Sequence, residues 1–302
     1  MIDILRADYT AQNVQIDELR ATNQIWRLVL GLVAFTAVYI AASIGYFWIV
    51  LASVDATSTA QGLAEIEDGR TPSAMYALLF QFSAAWLGVA IACTLVHRRS
   101  FFALFGEIPV AVRQFFQVLA ALAVLGFVLT ILPPYSSDVG HVQAQALSAW
   151  AILLPVSLVA VFVQTTAEEL LFRGYLQQHL AARFKSPLIW MVIPSILFAI
   201  GHHSPEIAGE NAWIITAWAG VFGLLMADLT ARAGSLGPAM AIHFINNLSA
   251  LLLISLPDQM SGLSLFHMPF GMEDTDALSA WLPVDFGFMV VMWLTARLAL
   301  RR

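Results

Sequence analysis

The chain alternates long apolar runs with short polar segments, and most of the runs are long enough to cross a lipid bilayer. A spanning helix needs about 20 mainly apolar residues. The pattern predicts eight such helices, of which the fifth is short and the seventh contains polar side chains. Their expected bounds are 26–54, 74–97, 112–133, 147–172, 187–203, 211–231, 236–256 and 279–299. We therefore expect an all-α fold, a polytopic bundle of about eight transmembrane helices.

Composition supports a membrane protein and removes other classes. Of the 302 residues, 60% are hydrophobic and 11% charged, and the mean hydropathy is +0.78. A soluble domain is about one quarter charged. The single cysteine, Cys93, lies in an apolar run and cannot form a disulfide framework within the chain. No basic patch with interleaved aromatic residues is present, so membrane lipid is the expected surrounding and nucleic acid is not an expected partner.

Loop charges predict the orientation of the helices. Lys and Arg favour the cytoplasmic side of a membrane. Successive loops alternate between basic and acidic, so we expect both termini to be cytoplasmic and the chain to lie in a bacterial inner (cytoplasmic) membrane. The basic set is Arg6, Arg20, Arg27, Arg98, Arg99, Arg113, Arg183, Lys185, Arg232, Arg297, Arg301 and Arg302. The other loops, whose one basic residue is Arg70, hold Asp55, Glu65, Glu67, Asp68, Asp138, Glu206, Glu210, Asp258, Glu273, Asp274 and Asp276.

Charged side chains stand out in the segment TTAEELLFRGYLQ, residues 165–177, which belongs to the fourth helix or its inner end. Ionisable residues inside a membrane are costly and mark functional sites. Glu168 and Glu169 point about 100° apart on a helix, so they must have different neighbours. Glu169 and Arg173 are four residues apart, which allows them to pair on one face. The alternative is that the fourth helix ends earlier and these are ordinary interfacial charges.

Two further polar patterns follow on the next apolar helices. His202 ends the fifth helix, four residues after Phe198, while His243 and Asn247 share one face of the seventh. Taken singly, the first could be a loop feature and the second a polar contact between helices. Together with the glutamates they predict one shared site. A carboxylate and two histidines activate water either as a general base with an electrophilic partner or as ligands of a catalytic metal.

The three patterns in this order, Glu-Glu-x-x-x-Arg, Phe-x-x-x-His and His-x-x-x-Asn, resemble the CPBP family of intramembrane proteases. This family of CAAX proteases and bacteriocin-processing enzymes was formerly labelled Abi, and it includes the type II CAAX prenyl endopeptidase. The resemblance covers residues 146–256. It divides the chain into an N-terminal arm with three helices (1–145), a catalytic core of four helices (146–256), and an outer loop with the final helix (257–302).

The resemblance implies hydrolysis of a peptide bond in a membrane-associated protein or peptide. In this sequence, Glu168 would activate water and His202 would help to hold it. Glu169 would orient a neighbouring group, and Arg173 would tie the helix.

His243 and Asn247 would stabilise the oxyanion of the tetrahedral intermediate. Their depth sets a condition on the fold. His202 is about 22 Å along its helix and His243 about 10 Å along its own, at 1.5 Å per residue. Because both helices are expected to start on the cytoplasmic side, the residues meet only if the fifth helix begins higher, tilts or is displaced.

Metal dependence is left open by the sequence. The CPBP family is described as a metalloprotease family, and Glu168, His202 and His243 offer three ligands for a divalent metal such as zinc. The His-Glu-x-x-His helix of common zinc proteases is absent. Metal-free activation of water is therefore the favoured version.

Two other functions compete with the protease. One is a transporter that uses buried Glu and His as a proton relay, and the other is a non-catalytic membrane scaffold or immunity protein. Transporters often contain paired repeats with broken helices, and none is visible. A non-catalytic member would be expected to lack a motif residue, and all are present.

The remaining polar residues have simpler interpretations. Asp228 and Arg232, four residues apart, predict an ion pair at a helix end. Cys93 is interpreted as a packing residue and His97 as interfacial. The histidines in loops or at helix edges, without an assigned role, are His141, His179 and His267.

Overall fold

A computed structural model describes residues 8–52, 58–132, 140–272 and 274–302. Arg6, Asp55, Asp138 and Glu273, which entered the loop-charge argument, lie outside these residues. The main helices of the described part are α1 (Ile25–Leu51), α2 (Thr59–Asp68), α3 (Pro72–Val96), α4 (Ile108–Ile131), α5 (Leu147–Arg183), α6 (Pro187–Gly201), α7 (Ala212–Ala233), α8 (Gly237–Leu253) and α9 (Thr275–Leu300).

The helices confirm an all-α, multi-pass integral membrane protein. Among the described residues, six helices are long and apolar enough to cross a bilayer: α1, α3, α4, α5, α9 and the segment Pro205–Ala233, which contains α7. Lipid offers no hydrogen bonds, so an apolar run must satisfy its backbone internally, as a helix does. The other two predicted spans correspond to the shorter apolar helices α6 and α8. The total of eight crossings stays a prediction.

The fourth predicted span continues well beyond its expected end. α5 is 37 residues long and runs to Arg183. It passes through a π-helical stretch, Leu170–Gln177, in which Arg173 is buried. The early helix end of the alternative is therefore wrong, and the depth of these charges in the membrane stays a prediction. Single π-helical turns inside α-helices are frequent at functional sites.

The core is built around α8. Every residue from 237 to 244 is buried, and the helix packs against α4 and α5. Gly237 lies so close to the Ala111 carbonyl oxygen that a Cβ would collide with it. Cys93 is also fully buried, in agreement with its interpretation as a packing residue.

Tyr9, near the start of the described residues, and the last helix meet at the same end of the bundle. The Tyr9 hydroxyl donates to Asp228 Oδ1 (2.9 Å), and the Trp293 indole donates to Asp228 Oδ2 (3.0 Å). Arg232 Nε holds the same carboxylate at 2.8 and 2.9 Å, so the predicted helix-end pair is confirmed. Which side this end faces stays a prediction. The opposite end carries a small sheet of order β1-β3-β2, made of β1 (Val142–Gln143), β2 (Ile254–Ser255) and β3 (Phe266–His267).

Candidate active site

Glu169 and Arg173 form the buried base of the site. Arg173 Nη1 donates to Glu169 Oε1 at 3.0 Å, and the side chains are 2% and 0% exposed. The pair follows from the four-residue spacing along α5. The guanidinium also lies 4.7 Å from the Phe198 ring centroid and donates to the Gly223 carbonyl oxygen at 3.4 Å. Arg173 thus connects α5 to α6 and α7.

His243 lies between the two glutamates. Its Nδ1 is 2.8 Å from Glu169 Oε1, and its Nε2 is 3.3 Å from Glu168 Oε2. The imidazole, 4% exposed, therefore contacts one carboxylate with each nitrogen. Its orientation is fixed by the hydrogen bond between Nδ1 and Glu169.

The two adjacent glutamates differ in access to the surroundings. The Glu169 side chain is 0% exposed, whereas that of Glu168 is 14% exposed. Glu168 Oε2 is buried and has no hydrogen bond with any described residue. A water molecule that reaches this carboxylate therefore meets Oε1. The difference agrees with the 100° separation of adjacent residues on a helix.

Asn247 joins the site through a residue that sequence analysis missed. Its Nδ2 donates to Gln164 Oε1 at 2.8 Å, and its Oδ1 accepts from Asn246 Nδ2 at 3.1 Å. Gln164 is four residues before Glu168, so both lie on the same face of α5. A polar residue at that spacing in an otherwise apolar helix was the available signal.

His202 is not in contact with either glutamate or with His243 in the described structure. Its exposed ring packs on Phe198, with centroids 4.3 Å apart, and Phe198 in turn is 6.1 Å from the His243 ring. His202 Nδ1 donates to the Phe198 carbonyl oxygen at 2.8 Å. Because a carbonyl only accepts, Nε2 of the neutral ring is left as an acceptor. His202 therefore adjoins the site through the Phe198 ring.

His202 and His243 do not meet, and the displaced helix is the seventh predicted one and not the fifth. The ring centroids of Phe222 and His243 are 5.0 Å apart. Residues 222–233 span about 16 Å of α7, but residues 237–243 span only about 9 Å of α8. α8 therefore begins about 7 Å deeper in the bundle than α7 ends.

Two histidines that were placed at surfaces or edges are buried instead. His97, predicted to be interfacial, is 3% exposed, and its Nε2 is 2.8 Å from the Tyr175 hydroxyl. His179 is also 3% exposed and lies within α5, with its ring centroid 4.0 Å from that of His97. Burial, and then the charges of Arg27 and Arg99, lower the pKa of His97 to about 4. Both corrections come from packing between helices distant in sequence.

The arrangement does not fit a three-ligand metal site. No group of three or more His, Cys, Asp or Glu side chains among the described residues has a suitable arrangement. His243 Nδ1 is bound to Glu169, which leaves its Nε2 as the nitrogen available to a ligand. His202 packs on Phe198 and contacts neither glutamate, so the three candidate ligands do not converge among the described residues.

Comparisons with known proteins found matches for the part of the chain that contains the candidate site. Residues 149–249 match the family model described as type II CAAX prenyl endopeptidase Rce1-like. The uncharacterized protein YyaK of Bacillus subtilis (strain 168) is 23% identical over 265 residues, which cover 83% of this chain and 85% of that protein. No solved structure matches the chain. These matches confirm the resemblance to the CPBP family. The matched segment, 149–249, is similar to the Rce1-like type II CAAX prenyl endopeptidases and contains every residue of the candidate site.

Proposed function

We propose that the chain is an intramembrane endopeptidase that hydrolyses a peptide bond of a membrane-associated protein or peptide with water activated by Glu168. The observation that carries this proposal is the His243 imidazole between two carboxylates, 2.8 Å from Glu169 and 3.3 Å from Glu168. One carboxylate is closed off by Arg173 and the other has access to water. Carboxylates in different environments take different roles in acid–base catalysis. The similarity of residues 149–249 to an endopeptidase family supports the reaction class.

The first step is attack by water. Glu168 Oε1 takes a proton from a water molecule while the water oxygen forms a bond to the carbonyl carbon of the substrate. The electron pair of the C=O π bond moves to the carbonyl oxygen. A positioned general base typically contributes about 10²–10⁴ in rate. His202 is assigned no part in this step, because its ring packs on Phe198 and, among the described residues, contacts neither glutamate nor His243.

The second feature is stabilisation of the oxyanion. Asn247 has one Nδ2–H left after its bond to Gln164. His243 Nε2 lies 3.3 Å from Glu168 Oε2 without a hydrogen bond to it, so a proton carried on Nε2 would be free to bind the oxyanion. Fixed donors at this point are worth several kcal/mol, about 2.7–4 for one donor.

Collapse of the intermediate completes the reaction. Glu168 gives its proton to the amide nitrogen as the C–N bond breaks, which releases an amine and a carboxylic acid. Glu169 and Arg173 remain a neutral pair throughout and hold the His243 ring through Nδ1.

The central prediction is that Glu168→Gln abolishes hydrolysis because the base is lost. Purified protein in detergent is mixed with a library of membrane peptides in H₂¹⁸O, and mass spectrometry detects ¹⁸O in new carboxyl termini. We expect the rate to fall by about 10²–10⁴-fold. Glu65→Gln is the matched control, because Glu65 is exposed on α2 and accepts a hydrogen bond from Gln61. A Glu168→Gln variant as active as the wild type, or a wild type that cleaves nothing in the library, would contradict the proposal.

A chelator tests the metal-free version. Since the site lacks three convergent ligands, we expect cleavage by the wild type to persist in excess chelator. Loss of cleavage that added zinc restores would instead assign a metal to the reaction.

A further inference from the structure

A second polar contact joins α5 and α8 one helical turn from the glutamates. Gln164, only 7% exposed, lies opposite Asn247, as Glu168 lies opposite His243. From the first contact to the second, residue numbers rise in α5 and fall in α8, so the two helices are antiparallel and the contacts are one helical turn apart. Of the four residues in these contacts, Gln164 has no role in the hydrolysis proposed above.

The contact is part of a directed chain of amides. Asn246 Nδ2 donates to Asn247 Oδ1, and Asn247 Nδ2 donates to Gln164 Oε1. The Asn247 oxygen and one of its two N–H groups are therefore occupied. One Asn247 N–H is left over, because a primary amide has two donors.

We propose that Gln164 is a positioning residue that holds the Asn247 amide with its remaining N–H towards the carbonyl oxygen of the substrate. This inference rests on the hydrolytic function proposed above. The two ends of an asparagine amide are nearly equal in shape, so sterics alone do not choose between them. If the Gln164 acceptor is removed, the Asn246 donor alone holds the Asn247 amide, whose oxygen can then turn towards the oxyanion and repel it.

Loss of the Gln164 acceptor should raise the energy of the transition state more than that of the bound substrate. Full negative charge develops on the substrate oxygen only after attack, and interactions stronger in the transition state than in the ground state change kcat. A misdirected Asn247 therefore lowers kcat and leaves KM nearly unchanged. A residue with a purely structural role would instead lower stability without this separation.

The test compares Gln164→Met, which keeps side-chain length and removes the acceptor, with the wild type. We expect kcat to fall about 10-fold or more, part of the 10²–10³ that one oxyanion donor contributes, with KM within about twofold. In an Asn247→Ala background the same change should alter kcat less than about twofold, because residues that act as a unit are not additive. Gln81→Met is the matched control. Gln81, 8% exposed, donates to Ser43 Oγ at 2.6 Å between other helices, and its loss should not change kcat.

The outcomes separate the two proposals. Wild-type kcat in Gln164→Met, beside an inactive Glu168→Gln, overturns the role of Gln164 alone. Additive losses in the double variant also overturn it, because Gln164 would then not act through Asn247. An equal loss of kcat in Gln164→Met and Gln81→Met, with equal falls in melting temperature, assigns the effect to packing and overturns it as well. Full activity of Glu168→Gln, or no hydrolysis by the wild type, overturns the proposed function instead.

Discussion

At the scale of single residues, Glu169 depends on its two donors. Its carboxylate is fully buried, and Oε1 is bound by Arg173 Nη1 and His243 Nδ1. Oε2 has no hydrogen bond with any described residue. A buried carboxylate is tolerated only when it is paired. Arg173 is therefore required for the stability of the protein as well as for the geometry of the site.

Arg173→Met should destabilise the protein strongly. The change leaves the Glu169 carboxylate buried without its charged partner, and breaking such a pair costs about 3–5 kcal/mol. Reversible unfolding in detergent would measure the free energy. Arg20→Met is the control, because the Arg20–Asp17 pair is exposed and exposed pairs are worth about 0–1 kcal/mol. Equal losses in the two variants would show that the buried pair is not specially stabilising.

At the scale of elements, the contact between α6 and α7 sets the position of Phe198. Gly223 of α7 lies against Ser195 of α6, and an added Cβ would be 2.9–3.0 Å from its atoms. One turn earlier, at Gly220, the nearest atom to an added Cβ is Ala199 Cβ at 3.5 Å. The two glycines of one helix face therefore differ in the room available to them.

Gly223→Ala and Gly220→Ala should have opposite effects. Alanine favours a helix over glycine by about 1 kcal/mol, so Gly220→Ala should raise the melting temperature slightly. At Gly223 the overpacking costs about 1–3 kcal/mol, which exceeds that gain. Because α6 carries Phe198, the shift should also lower the rate of hydrolysis. Thermal unfolding and kcat of both variants test this, and a stabilised, fully active Gly223→Ala would contradict it.

At the scale of the whole molecule, buried histidines couple stability to pH. His97 lies just after α3 and contacts Tyr175 and His179 of α5. Its pKa is lowered to about 4 in the folded protein, first by burial and then by Arg27 and Arg99. In the unfolded chain it titrates near its usual value of about 6.5. The unfolded state therefore binds more protons between these values.

The free energy of unfolding should fall as the pH is lowered from about 6.5 to about 4. For one proton the fall is up to about 1.4 kcal/mol per pH unit. Below about pH 4 the contribution of His97 should be constant. His97→Asn should reduce the slope, while His267→Asn in the sheet at the other end of the bundle serves as the control. The measurement is the free energy of unfolding in detergent as a function of pH. An unchanged slope in His97→Asn would contradict the assignment.

The sequence predicted the helical bundle and the composition of the site for one reason: charged residues are conspicuous in apolar helices. The pairing of Glu169 with Arg173 followed from their spacing along one helix. The roles of Phe198 and Gln164, the deeper start of α8 and the burial of His97 did not follow. Each depends on how helices distant in sequence pack, and local periodicity carries no information about that.

The Glu169–Arg173 pair also bears on how the chain enters a membrane during synthesis. α5 is made before α8, so Glu169 must be inserted before His243 exists as its partner. A lone charged residue at the centre of a helix costs about 2.5–3.5 kcal/mol on insertion scales. Because Arg173 lies one turn away on the same helix, this segment reaches lipid with one of its glutamates already neutralised. The nascent α5 can thus partition into the bilayer autonomously, and the later arrival of α8 completes a site whose most costly charge is already compensated.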